Sequence, residues 1–282
     1  MALASATPVP TRWAKWGLNR SLPEQYFAYL RNALHGDLGT SIIYNRSVND
    51  MIAEKIGATV LLGLTSALLA LIIGTAMGIL AARHEESLYD TVASGMTYTM
   101  NSVPSFWLGL MLIIFLSVRL NLLPSYGMTT ARKSYTGWAY VWDVMQHMAL
   151  PVMTLTLVTI PKYFRIAKSS VLQVMNEDFI TTLRATGMSE RRIFNKYVFR
   201  NAILPTITIF GITMAYLITG VSLIEVVFSW PGMGRLVLTA INQRDYPTLQ
   251  GIYLIMSVSI CVVMILVDIV YALFDPRIRY DS

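Results

Sequence analysis

Apolar positions along this chain gather into long uncharged runs, not into the short alternating stripes of a soluble fold. Thr59–Ala82, Val92–Val118, Asn201–Ile224 and Tyr246–Val267 contain no Asp, Glu, Lys or Arg. A helix crosses a bilayer with about 20 such residues, so each run predicts a span. Val144–Pro161 is a shorter fifth run, with His147 near one end and prolines at 151 and 161. Its continuation, KYFRIAKSSV, spaces Lys162, Arg165 and Lys168 three apart on one helical face, which predicts a span whose end turns amphipathic. Proline is tolerated inside spans when neighbouring helices satisfy the freed carbonyls, and Pro104 in the second run predicts a kink.

Composition agrees with this pattern. Only 13% of the 282 residues are charged and the mean hydropathy is +0.53, against about 25% charged in soluble domains. The chain therefore reads as an integral membrane protein. Its net charge of +6 fits cytoplasmic loops under the positive-inside rule and gives no reason to invoke nucleic acid. A single cysteine, Cys261, precludes an internal disulfide, and His35, His84 and His147 are scattered. No metal or cofactor site is expected from that inventory. G-x-x-x-x-G-K-[ST], H-E-x-x-H and G-x-S-x-G are all absent, so ATP binding by a P-loop and the common hydrolytic chemistries find no support.

Orientation follows from the loops. Residues 162–200 hold eight basic side chains against three acids, which puts this loop in the cytoplasm. Alternation then makes 83–90 and the tail 275–282 cytoplasmic, and 119–143 and 226–245 external. Tyr126, Tyr135, Trp138, Tyr140 and Trp142 crowd the first external loop, as interface aromatics do. Residues 1–58 become external, ahead of a transmembrane domain over 59–274. That basic segment lacks the features of a signal peptide, so the alternation predicts a further span ahead of it that this sequence does not contain.

The basic loop carries helix signals. In NEDFITTLRATG, Asn176 is a candidate cap, Glu177 and Asp178 fall in the first turn, and Gly187 is a stop. Ser189 is a candidate cap for a second helix, ERRIFNKYVFRNA. An amphipathic segment of this kind suits contact with anionic lipid. Two capped helices about a glycine turn also suit a docking surface for a cytoplasmic partner.

At these residues the chain resembles a family. EDFITTLRATGMSERRIFNKYVFRNAILP is similar to the cytoplasmic loop of ABC-importer permeases of the dipeptide/oligopeptide/nickel branch. Glu177, Asp178, Phe179, Arg184, Ala185, Gly187 and Ser189 match the branch's pattern, as do Arg200, Asn201, Ala202, Leu204 and Pro205. Thr181, Thr182 and Leu183 stand where the general permease signature has Glu-Ala-Ala, a departure common in the branch. GLNRSLPEQYFAYLRNALHGDLGTS, NSVPSFWLGLMLI, LPSYG, VFSWPGMGRLVLTAINQRDYPTLQG and VDIVYALFDPRIRY resemble further segments in the same order. The resemblance implies a first span before residue 17, coinciding with the one that topology calls for.

The resemblance also implies an all-α, polytopic helix bundle of the type I importer kind, with five spans in this chain, in a bacterial inner membrane. It implies no enzymatic role for the chain itself. Its partners would be a second homologous permease, two cytoplasmic ATP-binding subunits and an external solute-binding protein. Loop 176–192, with Glu177, Asp178, Phe179, Arg184, Ala185, Gly187 and Ser189, would couple to an ATPase. Peptides are the default solute, with nickel chelates, opines and oligosaccharides as alternatives in the same family. A secondary transporter or channel is the competing class, and it calls for paired ionisable groups at mid-membrane. Asp268 is read as facing the bundle and pairing with Arg277 or Arg279. Glu225 is placed at the external interface, Gly74 and Gly78 in helix packing, and the sixteen methionines in the core.

Overall fold

A computed structural model describes residues 20–131, 133–217 and 221–274, with the side chains of 268 and 270–274 excepted. The first span expected before residue 17 and the pairing of Asp268 with Arg277 or Arg279 lie outside the described residues. The described chain is helical, apart from one isolated bridge between Thr40 and Ser47. The helices are α1 (Leu22–Leu34), α2 (Val48–Arg83), α3 (Leu88–Ser102), α4 (Ser105–Arg119), α5 (Gly137–Met175), α6 (Asp178–Ala185), α7 (Glu190–Ala215), α8 (Ser222–Val227), α9 (Met233–Gln243) and α10 (Tyr246–Phe274). Among them α2, α5, α7 and α10 are long and apolar enough to cross a membrane. Helices α3 and α4 meet that test together but bend by 102°. Val103 lies at the break in extended conformation, as a residue before proline prefers, and Pro104 caps α4.

The centre of the bundle is the pair α2 and α5, which run parallel. Ser66 lies beside Thr156, Gly74 beside Ile160 and Tyr163, Gly78 beside Phe164, and Ala82 in one cluster with Val171. The Gly-x-x-x-Gly spacing lets the two backbones touch. A Cβ on Gly74 would stand 2.8 Å from the Ile160 carbonyl oxygen, and one on Gly78 would stand 2.4 Å from that of Phe164. Ala67, Ala70, Ala81 and Ala82 extend the small-residue face. Where the surrounding lipid is as apolar as leucine, such backbone approach is a main source of helix association. Helix α5 runs unbroken through Pro151 and Pro161.

Two boundaries differ from the hydropathy pattern. Helix α2 begins at Val48, eleven residues before the apolar run, because helical hydrogen bonding continues through Asp50, Glu54 and Lys55. The fourth span begins at Glu190 and ends at Ala215, so ERRIFNKYVFRNA is its first half, containing a π-helical turn at Phe194–Val198. Pro205 does not interrupt it, since it falls in the first turn after a local turn at Ile203. Of the rest of the expected run, Ser222–Ile224 belong to the separate helix α8. The loop expected over 162–200 is correspondingly shorter, because residues 162–175 are the last turns of α5.

The folded chain gathers the loops at two opposite ends of the bundle. One end holds the start of α3, the ends of α2 and α5, and α6 with the start of α7. The other holds the segment 38–47, the loop 120–136, and α8, α9 and the start of α10.

Candidate functional site

At the basic end, α6 is an eight-residue helix joined to the bundle mainly through Ile180. That side chain is fully buried, in a cluster with Ala82 of α2, Val171 of α5, and Ile193, Val198 and Ala202 of α7. Leu183 and Met188 pack against the cluster's edge. A helix this short has no stability of its own, so tertiary contact must hold it. Glu177, not Asn176, is the residue before the first turn; Asn176 ends α5. Gly187 stops α6 with φ +77°, and nothing lies within 4 Å of where its Cβ would be, so backbone conformation and not crowding calls for glycine there. Arg184 Nε donates to Glu190 Oε1 at 2.7 Å across the turn. Ser189 precedes α7 in extended conformation, without a side-chain cap bond.

Glu177, Asp178, Phe179, Arg184, Ala185, Gly187 and Ser189 are all exposed, and they surround the outer side of one short helix and its turn. The Phe179 ring is 39% exposed, an apolar group displayed among charges. What sequence reasoning missed is the root of this element. Ile180 and Leu183, three apart, carried the signal for a buried face. Arg83, at the end of α2, further braces the region, its guanidinium 4.5 Å above the Phe194 ring. The predicted common face of Lys162, Arg165 and Lys168 divides in the fold. Lys168 forms an ion pair with Asp90 of α3, Lys162 donates to Thr213 of α7, and Arg165 is exposed. The twist of a helix moves each third residue about 60° around the axis, enough to send them to different neighbours.

The opposite end is built around Glu225, which is fully buried and does not lie at an exposed interface. The Thr59 hydroxyl donates to its Oε1 at 2.5 Å, and the Gly234 and Arg235 amides donate to Oε2 at 2.7 and 3.3 Å. Thr59 in turn accepts the Met233 amide at 2.7 Å. These amides open α9, so the carboxylate satisfies donors that a helix start leaves unpaired. The sequence WPGMG is shaped to this carboxylate. Trp230 is buried and its Nε1 donates to the Ala58 carbonyl at 2.9 Å. A Cβ on Gly232 would stand 2.0 Å from Glu225 Oε1. Burial pushes the Glu225 carboxyl up, and the three donors pull the other way without cancelling the shift. Asp245, also buried, clasps the segment before α2 to α10. It accepts from the Ile42 amide at 3.2 Å, from Ser41 Oγ, and from Thr248 Oγ1 at 2.7 Å. Asp143 accepts from the Thr130 amide at 2.7 Å and from its hydroxyl at 2.5 Å, closing the loop before α5. This end is therefore a tied polar cap with its acids consumed by structure.

Comparison with known proteins agrees with the two-ended bundle. Residues 74–280 match the family described as binding-protein-dependent transport system inner membrane component. The dipeptide transport system permease protein DppB of Escherichia coli (strain K12) is 35% identical over 286 residues, covering 95% of this chain and 84% of that protein. The oligopeptide transport system permease protein AppB of Bacillus subtilis (strain 168) is 37% identical over 270 residues, covering 94% of this chain and 83% of that protein. Among solved structures, a chain of the MetNI methionine ABC transporter in an inward-facing conformation superposes with a TM-score of 0.63 at 15% identity, covering 80% of this chain and 96% of that one. A chain of an amino acid ABC transporter crystallised with histidines gives 0.52 at 16% identity, over 81% and 94%. At such identities the structural likeness speaks for the fold alone.

Proposed function

This chain belongs to the family of binding-protein-dependent transport system inner membrane components, and on that premise we propose that it imports peptides, with α6 as its handle on a cytoplasmic ATPase. The chain is a multi-pass membrane permease subunit of an ABC importer and not itself an enzyme. The peptide solute rests on the names of the two permeases above, which share more than a third of its residues. A second homologous permease would complete the pathway in a bacterial inner membrane. An external binding protein would deliver the solute, and two ATP-binding subunits would drive the cycle.

One observation carries the coupling role. Helix α6 has a single buried root, Ile180, in contact with three of the long helices, and an outer side made of the seven exposed residues. A partner that grips the outer side moves the spans through the root. The basic end then faces the cytoplasm and the Glu225 end faces the binding protein, in the order the positive-inside rule gives.

Two cysteine positions test this. With Cys261→Ser as background, Phe179→Cys should cross-link to an ATP-binding subunit in the assembled complex, and the yield should change when ATP is trapped. Cross-linking to no subunit other than the second permease would refute the docking role. Uptake of a radiolabelled dipeptide into vesicles holding the complex tests the solute; uptake of an oligosaccharide or nickel chelate with no peptide uptake would reassign it.

A further inference from the structure

Helix α5 places one charge where the bundle has no use for it. Lys162 lies level with Gly74 of α2, since Ile160 and Tyr163 on either side of it both touch Gly74. Arg83 ends α2 nine residues further on and Thr59 lies fifteen residues back. At 1.5 Å per residue these are about 14 and 22 Å, which puts Lys162 well inside the roughly 30 Å hydrocarbon layer. Its Nζ donates to Thr213 Oγ1 on α7 at 2.9 Å, and the Thr213 hydroxyl itself donates to the Ile209 carbonyl. An ammonium has three protons to donate, and a neutral hydroxyl does not balance its charge.

Among the described residues Lys162 forms no ion pair. Lys168, six residues nearer the helix end, does form one, with Asp90. The space beside Lys162 is a cavity of about 200 Å³ between α2, α5 and α7, lined mainly by apolar side chains such as Leu155, Ile212 and Leu217, with Ser66, Thr159, Thr213 and Tyr216 among them. Hydroxyls on three helices thus face the same opening as the amine. An intramembrane charge beside a cavity is by default a candidate for a solute or ion path.

We propose that Lys162 and the cavity beside it form a station on the solute pathway that takes an anionic group, the carboxylate of the transported peptide. The charge sign selects the ligand: a carboxylate supplies a counter-charge that Lys162 lacks among the described residues and accepts from its ammonium. A lipid phosphate is the same chemistry from another source, but it would have to descend about 14 Å below the level of Arg83. This inference rests on the peptide reading above.

The test uses the complete complex in vesicles, with Cys261→Ser as background. Uptake of a dipeptide with a free carboxylate is compared for wild type, Lys162→Arg, Lys162→Gln and Lys162→Cys at equal membrane levels. Arg should retain uptake, while Gln and Cys should lose roughly tenfold, equivalent to about 1.4 kcal/mol. Treating Lys162→Cys with 2-aminoethyl methanethiosulfonate, which restores an ammonium, should recover uptake. The sulfonatoethyl reagent should not, and excess dipeptide should slow both modifications. Excess anionic lipid in place of dipeptide should give no such protection; if it protects and dipeptide does not, the station holds lipid and the proposal fails. Gln uptake equal to wild type, an unreactive thiol during turnover, or equal rescue by both reagents would each overturn it while leaving the peptide reading intact. A wild-type complex that moves no dipeptide would refute the peptide reading itself, and this inference with it.

Discussion

Ile180→Ala is the sharpest perturbation of the coupling element, because it alters none of the residues offered to a partner. Ile180 is fully buried among side chains of α2, α5 and α7 at the basic end. Truncating a buried isoleucine to alanine costs about 2–5 kcal/mol, from lost transfer energy and the cavity left behind. An eight-residue helix contributes almost nothing of its own, since isolated helices below about 12–15 residues are marginal. At about 3 kcal/mol, the docked position of α6 loses more than two decades of preference over detached ones. Leu183 and Met188 stay in place, so the helix should loosen and not vanish. The expected result is a complex that assembles in the membrane at normal levels, with solute-stimulated ATP hydrolysis and dipeptide uptake both reduced about tenfold or more. Ile180→Val removes one methyl, costs about 0.5–1.5 kcal/mol, and should fall between. Thr181→Ala, next in sequence but exposed, should change stability by no more than about 0.5 kcal/mol and leave both activities near wild type. Wild-type coupling in Ile180→Ala, or an equal loss in Thr181→Ala, would refute the idea that one buried side chain roots the handle.

Further outcomes follow from the same contacts. Glu225→Ala strands the Thr59 hydroxyl and two amides, at about 1–3 kcal/mol each before any relaxation; thermal unfolding of the purified protein should show a clear loss, larger than for Glu225→Gln. Because burial raises the folded-state carboxyl above the ordinary glutamate value, its contribution is complete below that value and is lost as pH rises through the folded one; the melting advantage of wild type over Glu225→Gln should therefore shrink as pH rises across that window, and a widening gap would contradict the burial argument. Gly78→Val should destabilise by about 1–3 kcal/mol, since its Cβ meets the Phe164 carbonyl and not a movable side chain; an unchanged melting temperature would mean the α2–α5 contact is looser than described. A cysteine at Ser134 should react with an impermeant maleimide from outside intact cells and one at Ser189 should not, and the reverse would invert the proposed orientation.

The long spans were legible because hydrocarbon imposes a length and a composition that any sequence must display. Their ends were not, since hydrogen bonding carries α2 back through Asp50, Glu54 and Lys55, residues that hydropathy assigns to a loop. Gly187 was readable as a stop because its role is local: a left-handed φ is a property of one residue and its neighbours. Gly74 and Gly78 announced close packing but not its partner, which lies about 90 residues away on α5. The burial of Glu225 went unseen for the same reason. A carboxylate at the end of an apolar run looks like an interface residue until Thr59, 166 positions earlier, is seen to cover it. The outer face of α6 could be named residue by residue from the family pattern. Its root was signalled only weakly, by Ile180 and Leu183 three apart, and what buries it becomes visible only when side chains of three other helices close over it.

Helix α2 bears directly on how a grip at α6 would reach the far end of the molecule. Thr59, eleven residues into α2, holds the Glu225 clasp, and Ala82 and Arg83 at the helix end hold the Ile180 cluster and the Phe194 ring. These points are about 35 Å apart along one uninterrupted helix. Between them α2 lies on α5 with backbone against backbone at Gly74 and Gly78, so no layer of compliant side chains can absorb a displacement there. A load on α6 therefore passes to α2 and α5 as one body, and the yielding must occur elsewhere. Irregular places among the described helices include the 102° break at Val103–Pro104 and the π-helical segments at Ile113–Arg119 and Phe194–Val198, the last of them within the Ile180 cluster. Interrupted hydrogen-bond ladders bend at lower cost than regular ones. On the proposed coupling, α3–α4 and α7 flex about a rigid α2–α5 core. Lys162, on the core, and Thr213, on the flexing side, then face each other across the boundary between the two.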